Sequence, residues 1–480
     1  MNSLAERLYA RAPIGVQHLM TSAYGLAIYP QRYGGSFGKY VAQLRNDEWH
    51  DLDYLMDLQN HRLRQMVHHA YDYTPYYREL LDTTGLKPSD IKDTSDLTRI
   101  PVLEKHTLRA SIDSFRSRAF QPRTLICNPT AGTTGSAIPV LVTRDAMQYN
   151  FATYEARALA WAGVTHRDRT ATFLGRIVAP IGQSKPPFWR HNWVRNQLLF
   201  SSFHMTDDHL PSYVDRLASF RPRLLVGYCS SIYTLASHIV RSKRAGEVRP
   251  VAVLVSSEVL LPDHRKVMEQ AFGCRVFDGY SQAELCGFVT ECSRGRLHVS
   301  PEYGVIEFIP LDQPPDGGQP YEMLCTGLFN LATPILRYRI GDLAVPARDP
   351  CPCGRSLPVV ESIIGRSDSM IVTPNGARVS PASMSLAFKL TRGIAECQII
   401  QRAVDHIIIC IVRTPEYDHQ QQAYMLKEVR RRVGSGMQIE IEFVEKLLGT
   451  ESGKVRFVIS ELRDADGGGG HHPAGDAETD

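Results

Sequence analysis

Residues 224–228 read Leu-Leu-Val-Gly-Tyr, residues 251–255 Val-Ala-Val-Leu-Val and residues 274–277 Cys-Arg-Val-Phe, with helical stretches between them near Ser230 to Arg244 and Asp263 to Phe272. Short β-rich runs alternating with helices predict an α/β protein built on a parallel, doubly wound sheet. Ligands of such sheets collect outside the carboxyl ends of the strands. The polar clusters that follow these runs, Ser256-Ser257-Glu258 and Asp278-Gly279-Tyr280-Ser281, are therefore candidate ligand contacts.

Upstream of this region, Leu52 to Tyr73 has helical periodicity with Leu63, Met66, Val67 and Ala70 on one face, and Thr74-Pro75-Tyr76-Tyr77 breaks it. This predicts a helical lobe. Downstream, Gly304 to Ile309 and Glu322 to Thr326 read as antiparallel strands around a turn at Gly317-Gly318. After Gly365 a second core begins, with a helix near Ser380 to Leu390, strands Glu396 to Arg402 and His406 to Arg413, a helix Gln420 to Val433 and a strand Gln438 to Val444. The expected organisation is a large N-terminal domain (1–365) with a helical lobe and a doubly wound sheet, then a small α+β C-terminal lid domain (366–463). Residues 464–480, glycine-rich and nearly without apolar side chains, are expected to be a disordered tail.

The 480 residues carry 54 basic and 51 acidic side chains, a net charge of +3, which gives no polyelectrolyte signature and argues against nucleic acid as a partner. No run is apolar for long enough to span a membrane, and the N-terminus lacks a secretory pattern, so the expected location is the cytoplasm. A homodimer is left open. Of the ten cysteines, Cys127, Cys229, Cys274, Cys286, Cys325, Cys397 and Cys410 sit alone in or beside apolar runs and are expected to be buried thiols. Cys351-Pro352-Cys353, taken with Cys292, has spacing that suggests a metal.

Three further stretches carry chemistry. Thr130-Ala131-Gly132-Thr133-Thr134-Gly135-Ser136 intersperses hydroxyls with glycines, so that N–H and O–H groups can converge on a phosphate; alone, it is equally a flexible linker. In Asp278 to Glu284, Tyr280 can stack on a purine while Glu284 holds the magnesium that neutralises a triphosphate; a turn with a solvated Glu is the simpler reading of that stretch by itself. Arg337-Tyr338-Arg339-Ile340-Gly341-Asp342 ends an apolar strand and presents Asp342, an acceptor suited to a ribose diol, or merely a turn cap.

In type, order and spacing these segments resemble the adenylate-forming superfamily of acyl-CoA synthetases, luciferases and peptide-synthetase adenylation domains. Thr130 to Gly135 looks like its phosphate loop, Tyr280 to Glu284 its Tyr-Gly-x-Thr-Glu segment, Arg337 to Asp342 its Arg-Tyr-x-x-Gly-Asp segment, Arg366 to Asp368 its hinge and Lys454 its C-terminal lysine. The stretches Tyr73 to Arg78 and Leu97-Thr98-Arg99-Ile100-Pro101 resemble the phenylacetate-CoA ligase branch and its capsular-polysaccharide relatives. Zinc-bearing members of that branch supply a reading for Cys292, His298, Cys351 and Cys353 as a closed, structural Zn2+ site.

The resemblance implies an AMP-forming acid–thiol ligase. A small-molecule carboxylic acid attacks ATP, pyrophosphate leaves, and an acyl acceptor, coenzyme A in this branch, displaces AMP. The cofactor contacts implied are Thr130, Gly132, Thr133, Thr134, Gly135, Ser257, Glu258, Asp278, Gly279, Tyr280, Ser281, Glu284, Asp342, Arg366 and Lys454. Glu284 would carry Mg2+, and Thr130, Glu284 and Lys454 would act in catalysis, with rotation of the small domain at Asp368 between the half-reactions. Tyr228, Phe173 and Ser257 fall at expected strand ends where an acyl pocket could form. Ser281, Ala283, Ala131 and Ser369 depart from the family pattern, and Ala283 removes one hydroxyl from the phosphate site. An amide or ester ligase independent of coenzyme A, and an inactive ATP-binding relative, are the alternatives.

Overall fold

The computed structural model describes residues 4–130, 138–180, 182–258, 260, 262–310, 321–366, 371–374, 378–379, 384, 387–388, 391–445, 447 and 457–462. The chain divides into two compact units, Met1–Ser367 and Asp368–Asp480.

The first unit opens with helices Leu4–Arg11, Ile14–Tyr33, Phe37–Asp47 and Leu52–Tyr73. In the last of these, Asp51 accepts a hydrogen bond from the Tyr54 N–H at 2.9 Å and so caps the first turn. Leu63, Met66, Val67 and Ala70 are buried, as their spacing predicts. Thr74 is extended, and Pro75 starts the fifth helix, Pro75–Thr84, at the first helical position, where its missing N–H is harmless. Among the described residues no helix is long and apolar enough to cross a membrane.

Strands β1 (Ile126–Pro129) and β2 (Pro139–Val142) form an antiparallel ribbon whose connection, residues 131–137, lies outside the described residues. Only alternate residues of β1 are covered, so Cys127 is exposed rather than buried as expected. Cys274 and Cys397 are half-buried.

The main sheet has twelve strands: β3 (Thr170–Leu174), β4 (Trp189–Asn192), β5 (Gln197–Ser201), β6 (Leu224–Tyr228), β7 (Ala252–Ser256), β8 (Arg275–Ser281), β9 (Phe288–Glu291), β10 (Leu297–Val299), β11 (Gly304–Pro310), β12 (Tyr321–Gly327), β13 (Tyr338–Pro346) and β14 (Val359–Arg366). Their order is β11-β12-β13-β14-β10-β9-β8-β7-β6-β3-β5-β4. Strands β5, β3, β6, β7 and β8 run parallel, with helices Cys229–Arg241 and Pro262–Phe272 connecting β6 to β7 and β7 to β8. Ala252 to Val255 of β7 are buried throughout, as a strand covered on both faces requires. Gly227 explains the glycine in the opening run, because a Cβ there would strike the Phe173 carbonyl.

From β9 onward the pairings are antiparallel, since the connections are too short for a helical crossover. The pair β11–β12 is antiparallel, as expected, and the turn at Gly317-Gly318 lies outside the described residues. Two segments read as turns are strand instead. Asp278 to Ser281 continue β8, pairing with both β7 and β9, and Asp342 lies inside β13 rather than at its end. Their glycines and polar side chains mimic turn chemistry, but each of these residues is paired with at least one neighbouring strand.

The second unit has β15 (Ile371–Val372), β16 (Arg378–Val379), β17 (Ile394–Ala403), β18 (His406–Arg413), a helix His419–Val433, β19 (Gln438–Phe443) and β20 (Val458–Ser460). Its four-stranded sheet runs β19-β18-β17-β20, and Ile399, Ile407, Ile409, Ile411, Met425 and Val429 form the core. Strand β20 is too short to be read from the sequence; it forms because Val458 to Ser460 pair with Ile399 to Gln401.

Candidate functional site

The parallel strands end at Leu174, Tyr228 and Ser256, and beside them β8 carries Asp278, Gly279, Tyr280 and Ser281 on to the antiparallel half. Ser257, next after β7, sits at φ +69°, a left-handed conformation that costs a non-glycine residue of order 1 kcal/mol or more and that marks functional turns. Tyr228 is half-buried; burial pushes its phenol up, and Glu258 and Arg176 are close enough to act on its charge. Phe173, by contrast, is fully buried and stacked on Phe200 at 4.9 Å, so it belongs to the core and not to a pocket.

The central constellation is a chain of hydrogen bonds. Gln282 Nε2 donates to the Tyr280 hydroxyl at 2.7 Å, and Tyr280 donates to Asp342 Oδ2 at 2.7 Å. Burial and the Asp342 carboxylate hold the Tyr280 phenol well above its ordinary range, so it remains a donor. Asp342 pairs across the ladder with Arg366 of β14, whose side chain lies outside the description. Glu284 is buried, with the Tyr338 hydroxyl 3.5 Å from its Oε1. Leu285, at φ +58°, turns the chain just after it.

Contacts not legible in the sequence tie this group to β1 and β12. Asn128 of β1 donates to the Ala283 carbonyl at 2.9 Å, and Gln282 also reaches Cys325 of β12 at 3.5 Å. Thr130 closes the base of the loop: its N–H donates to the Ile138 carbonyl at 3.0 Å, and its Oγ1 accepts from the Ile138 N–H at 2.9 Å, leaving its own hydroxyl proton to donate. Gly132, Thr133, Thr134, Gly135, Asp368 and Lys454 lie outside the described residues. Arg337 is structural in its contacts, pairing with Glu307 at 3.1 Å and donating to the Thr98 and Ile100 carbonyls at 3.0 and 2.8 Å, which docks the Leu97 to Pro101 stretch.

Asp278 lies in β8 with its N–H donated to Glu291 Oε2 at 2.9 Å. Burial and the Glu291 carboxylate push its own carboxyl up to about 7, although Arg265 opposes this. Glu291 itself is held by Arg265 at 2.7 Å and Arg275 at 3.3 Å.

Next to Glu291, the four residues Cys292, His298, Cys351 and Cys353 meet, with ligand atoms all within 4.8 Å of one another. Cys292 Sγ lies 3.6 Å from Cys351 Sγ, close to the ~3.8 Å edge of a tetrahedron with ~2.3 Å metal–sulfur bonds. Cys353 Sγ faces His298 Nε2 at 3.5 Å, while His298 Nδ1 donates to the Leu357 carbonyl at 3.2 Å and so turns Nε2 inward. Burial pushes His298 down to about 4, which keeps the imidazole neutral. Although burial opposes it, the Arg355 N–H and guanidinium draw the Cys353 thiol below its ordinary value. These donors could hold a borderline-soft divalent ion with no position left for substrate.

Around the cluster runs an ion-pair network that the sequence did not reveal. Arg157, fully buried, reaches Glu48 at 3.1 Å and Glu302 at 2.5 Å, and Trp161 Nε1 and Arg355 Nε both donate to Glu48 Oε2, at 2.7 and 3.2 Å. Trp161 stands edge-on to His298 with ring centroids 5.5 Å apart.

Residues 371–461 match the CapK C-terminal domain family. Over 460 residues the chain is 28% identical to protein CapK of Staphylococcus aureus, covering 95% of this chain and 99% of that one. The chain resembles CapK over nearly its whole length and the phenylacetate-coenzyme A ligases over about two thirds of it. Among the latter, the Thermus thermophilus protein is 27% identical over 363 residues, 72% of this chain and 78% of its own, and the Escherichia coli protein 26% identical over 348 residues, 69% and 76%. The solved 2-hydroxyisobutyryl-CoA ligase in complex with 2-HIB-AMP and CoA shares the fold, with a TM-score of 0.56 at 20% identity over 86% of this chain and 91% of its own. This CapK relative therefore has the large-plus-small domain architecture of adenylate-forming ligases.

Proposed function

We propose that this CapK relative is an ATP-dependent, AMP-forming carboxylic acid ligase that makes an acyl- or aryl-adenylate and passes the acyl group to coenzyme A. The observation that carries this reading is the Gln282–Tyr280–Asp342 chain beside buried Glu284, set against the carboxyl edge of the parallel strands. Relatives named phenylacetate-coenzyme A ligase support it.

In this scheme the Tyr280 ring faces the purine, Asp342 accepts from the ribose hydroxyls, and the loop Thr130 to Gly135 donates to the phosphates. A carboxylate oxygen attacks the α-phosphorus as the bond to the β-phosphate breaks and pyrophosphate departs with the electron pair. The thiol sulfur then attacks the acyl carbon, its proton passing to water, and AMP leaves with the electron pair of the acyl C–O bond. Catalysis is positioning and charge neutralisation: Glu284 would hold Mg2+, and Lys454 would bridge carboxylate and phosphate oxygens. Mg2+ would neutralise the triphosphate. Zn2+ held by Cys292, His298, Cys351 and Cys353 would be structural.

Pyrophosphate release screened over aryl, fatty and hydroxy acids, with and without coenzyme A, tests the proposal. The expected result is acid-dependent release, with coenzyme A required for turnover. Release that ignores the acid would overturn it, and acid-dependent turnover without coenzyme A would move the acceptor to an amine or hydroxyl.

A further inference from the structure

Between helix Ile14–Tyr33 and the face of β3, β5 and β6 lies a cavity of about 260 Å³. Alternation along β3 sends Ala171 and Phe173 into the core and Thr170, Thr172 and Leu174 to the cavity. That floor is polar where a parallel sheet is ordinarily apolar: Gln197 Nε2 donates to Thr172 Oγ1 at 2.7 Å.

The walls are aromatic and strongly cationic. Arg32 lies over the Phe151 ring at 4.7 Å and Arg195 over the Tyr33 ring at 4.2 Å, and Arg176, just past β3, joins them. Guanidiniums laid on rings keep N–H groups for an acceptor. Among the described residues, Arg195 Nε finds no hydrogen-bond partner. The nearby Glu155 carboxylate is engaged by the His166 N–H at 2.9 Å and ring Nδ1 at 3.1 Å. Burial, with Arg176 and Arg195 alongside, draws the Arg32 guanidinium below its ordinary value, and an anion entering beside it would stabilise its charge.

The cavity reaches the carboxyl edge of the sheet at Leu174, Arg176 and Val226, and Arg176 acts on both Arg32 and Tyr228. Resting on the ligase reading above, we infer that the cavity receives the far end of the acid substrate, and that this end carries a second negative charge which Arg32, Arg176 and Arg195 bind. The substrate class is then a compact dianionic acid with an aromatic or similarly flat body.

Terephthalate and benzoate, the same ring with two carboxylates or one, provide the test. Calorimetric titration of the full-length protein should show terephthalate binding about tenfold or more tightly than benzoate, as charge-assisted hydrogen bonds allow. Arg32→Gln combined with Arg195→Gln should erase that preference in protein that circular dichroism shows to be folded. Equal affinities, or a preference that survives in the double variant, would overturn the site. Pyrophosphate release should favour terephthalate over benzoate in kcat/KM, and the double variant should lose that advantage. Arginine-dependent binding of terephthalate alongside release driven equally well by monoanions would overturn the substrate assignment. Release with no acid at all would instead sink the ligase reading, and the titration would still decide whether the cavity binds dianions.

Discussion

The thiol–imidazole cluster and the Tyr280–Asp342 group are built on the same antiparallel side of one sheet, yet in opposite ways. At Cys292, His298, Cys351 and Cys353 the donor atoms face one another, Trp161 and Leu357 close the outside, and backbone N–H groups point at Cys292 Sγ (3.3 Å) and Cys351 Sγ (3.4 Å). The Tyr280 hydroxyl and Asp342 are instead linked along the strand faces, near a left-handed Ser257. A closed donor set contributes to folding free energy, whereas a group strung along an edge contributes by meeting something that arrives.

The comparison breaks most readily at the closed site. Purified protein is expected to carry about one zinc per chain by elemental analysis, and chelation should lower Tm by on the order of 10 °C or more, because metal binding and folding are coupled. Cys351→Ser should do the same while leaving the kcat of the folded fraction little changed. Metal-free protein with an unaltered Tm would show that the four residues cluster for packing alone.

At the other site the expected effect is on rate. Glu284→Gln keeps the volume and removes the charge, and pyrophosphate release should fall about a hundredfold with Tm nearly unchanged. Lys454→Ala should bring a loss of similar size, read in the same assay. Normal release by the Glu284 variant would remove that residue from the metal site.

The parallel half of the sheet was legible because continuous apolar runs flanked by helical spacing have few other solutions, and the cluster because paired thiols in turn-rich segments are rare outside metal sites. Asp278 to Ser281 and Asp342 misread as turns because glycine and polar residues look alike in a turn and in a strand held by its sheet neighbours. Arg157 was illegible for a different reason. A buried arginine has no pattern of its own, and its partners Glu48 and Glu302 are distant in sequence. The arginines around the cavity, Arg32, Arg176 and Arg195, are scattered likewise, and only the packing of helix Ile14–Tyr33 on β3 and β5 brings them together.

Asp278 gives the smallest expected effect and lies between the two sites, sharing Glu291 with the segment that leads to Cys292. Its carboxyl is raised from an ordinary 3.8 to about 7 by burial and by Glu291. The folded state therefore holds the proton more tightly than the unfolded chain does. Whatever stability the neutral carboxyl contributes is fully present below about pH 4 and is lost as the pH rises through about 7. Asp278→Asn keeps the shape and cannot ionise, so it escapes that loss. The difference in Tm between variant and parent should thus grow by a few degrees from pH 5 to pH 8, in favour of the variant. Effects of titrating groups that do not interact with Asp278 cancel in that difference. A difference that is flat, or that grows toward acid, would mean that Arg265, at 2.7 Å from Glu291, dominates the field at β8 and keeps Asp278 ionised. In that event the carboxylate would belong with the charged network around the cluster, and the line drawn between the two sites would move to Tyr280.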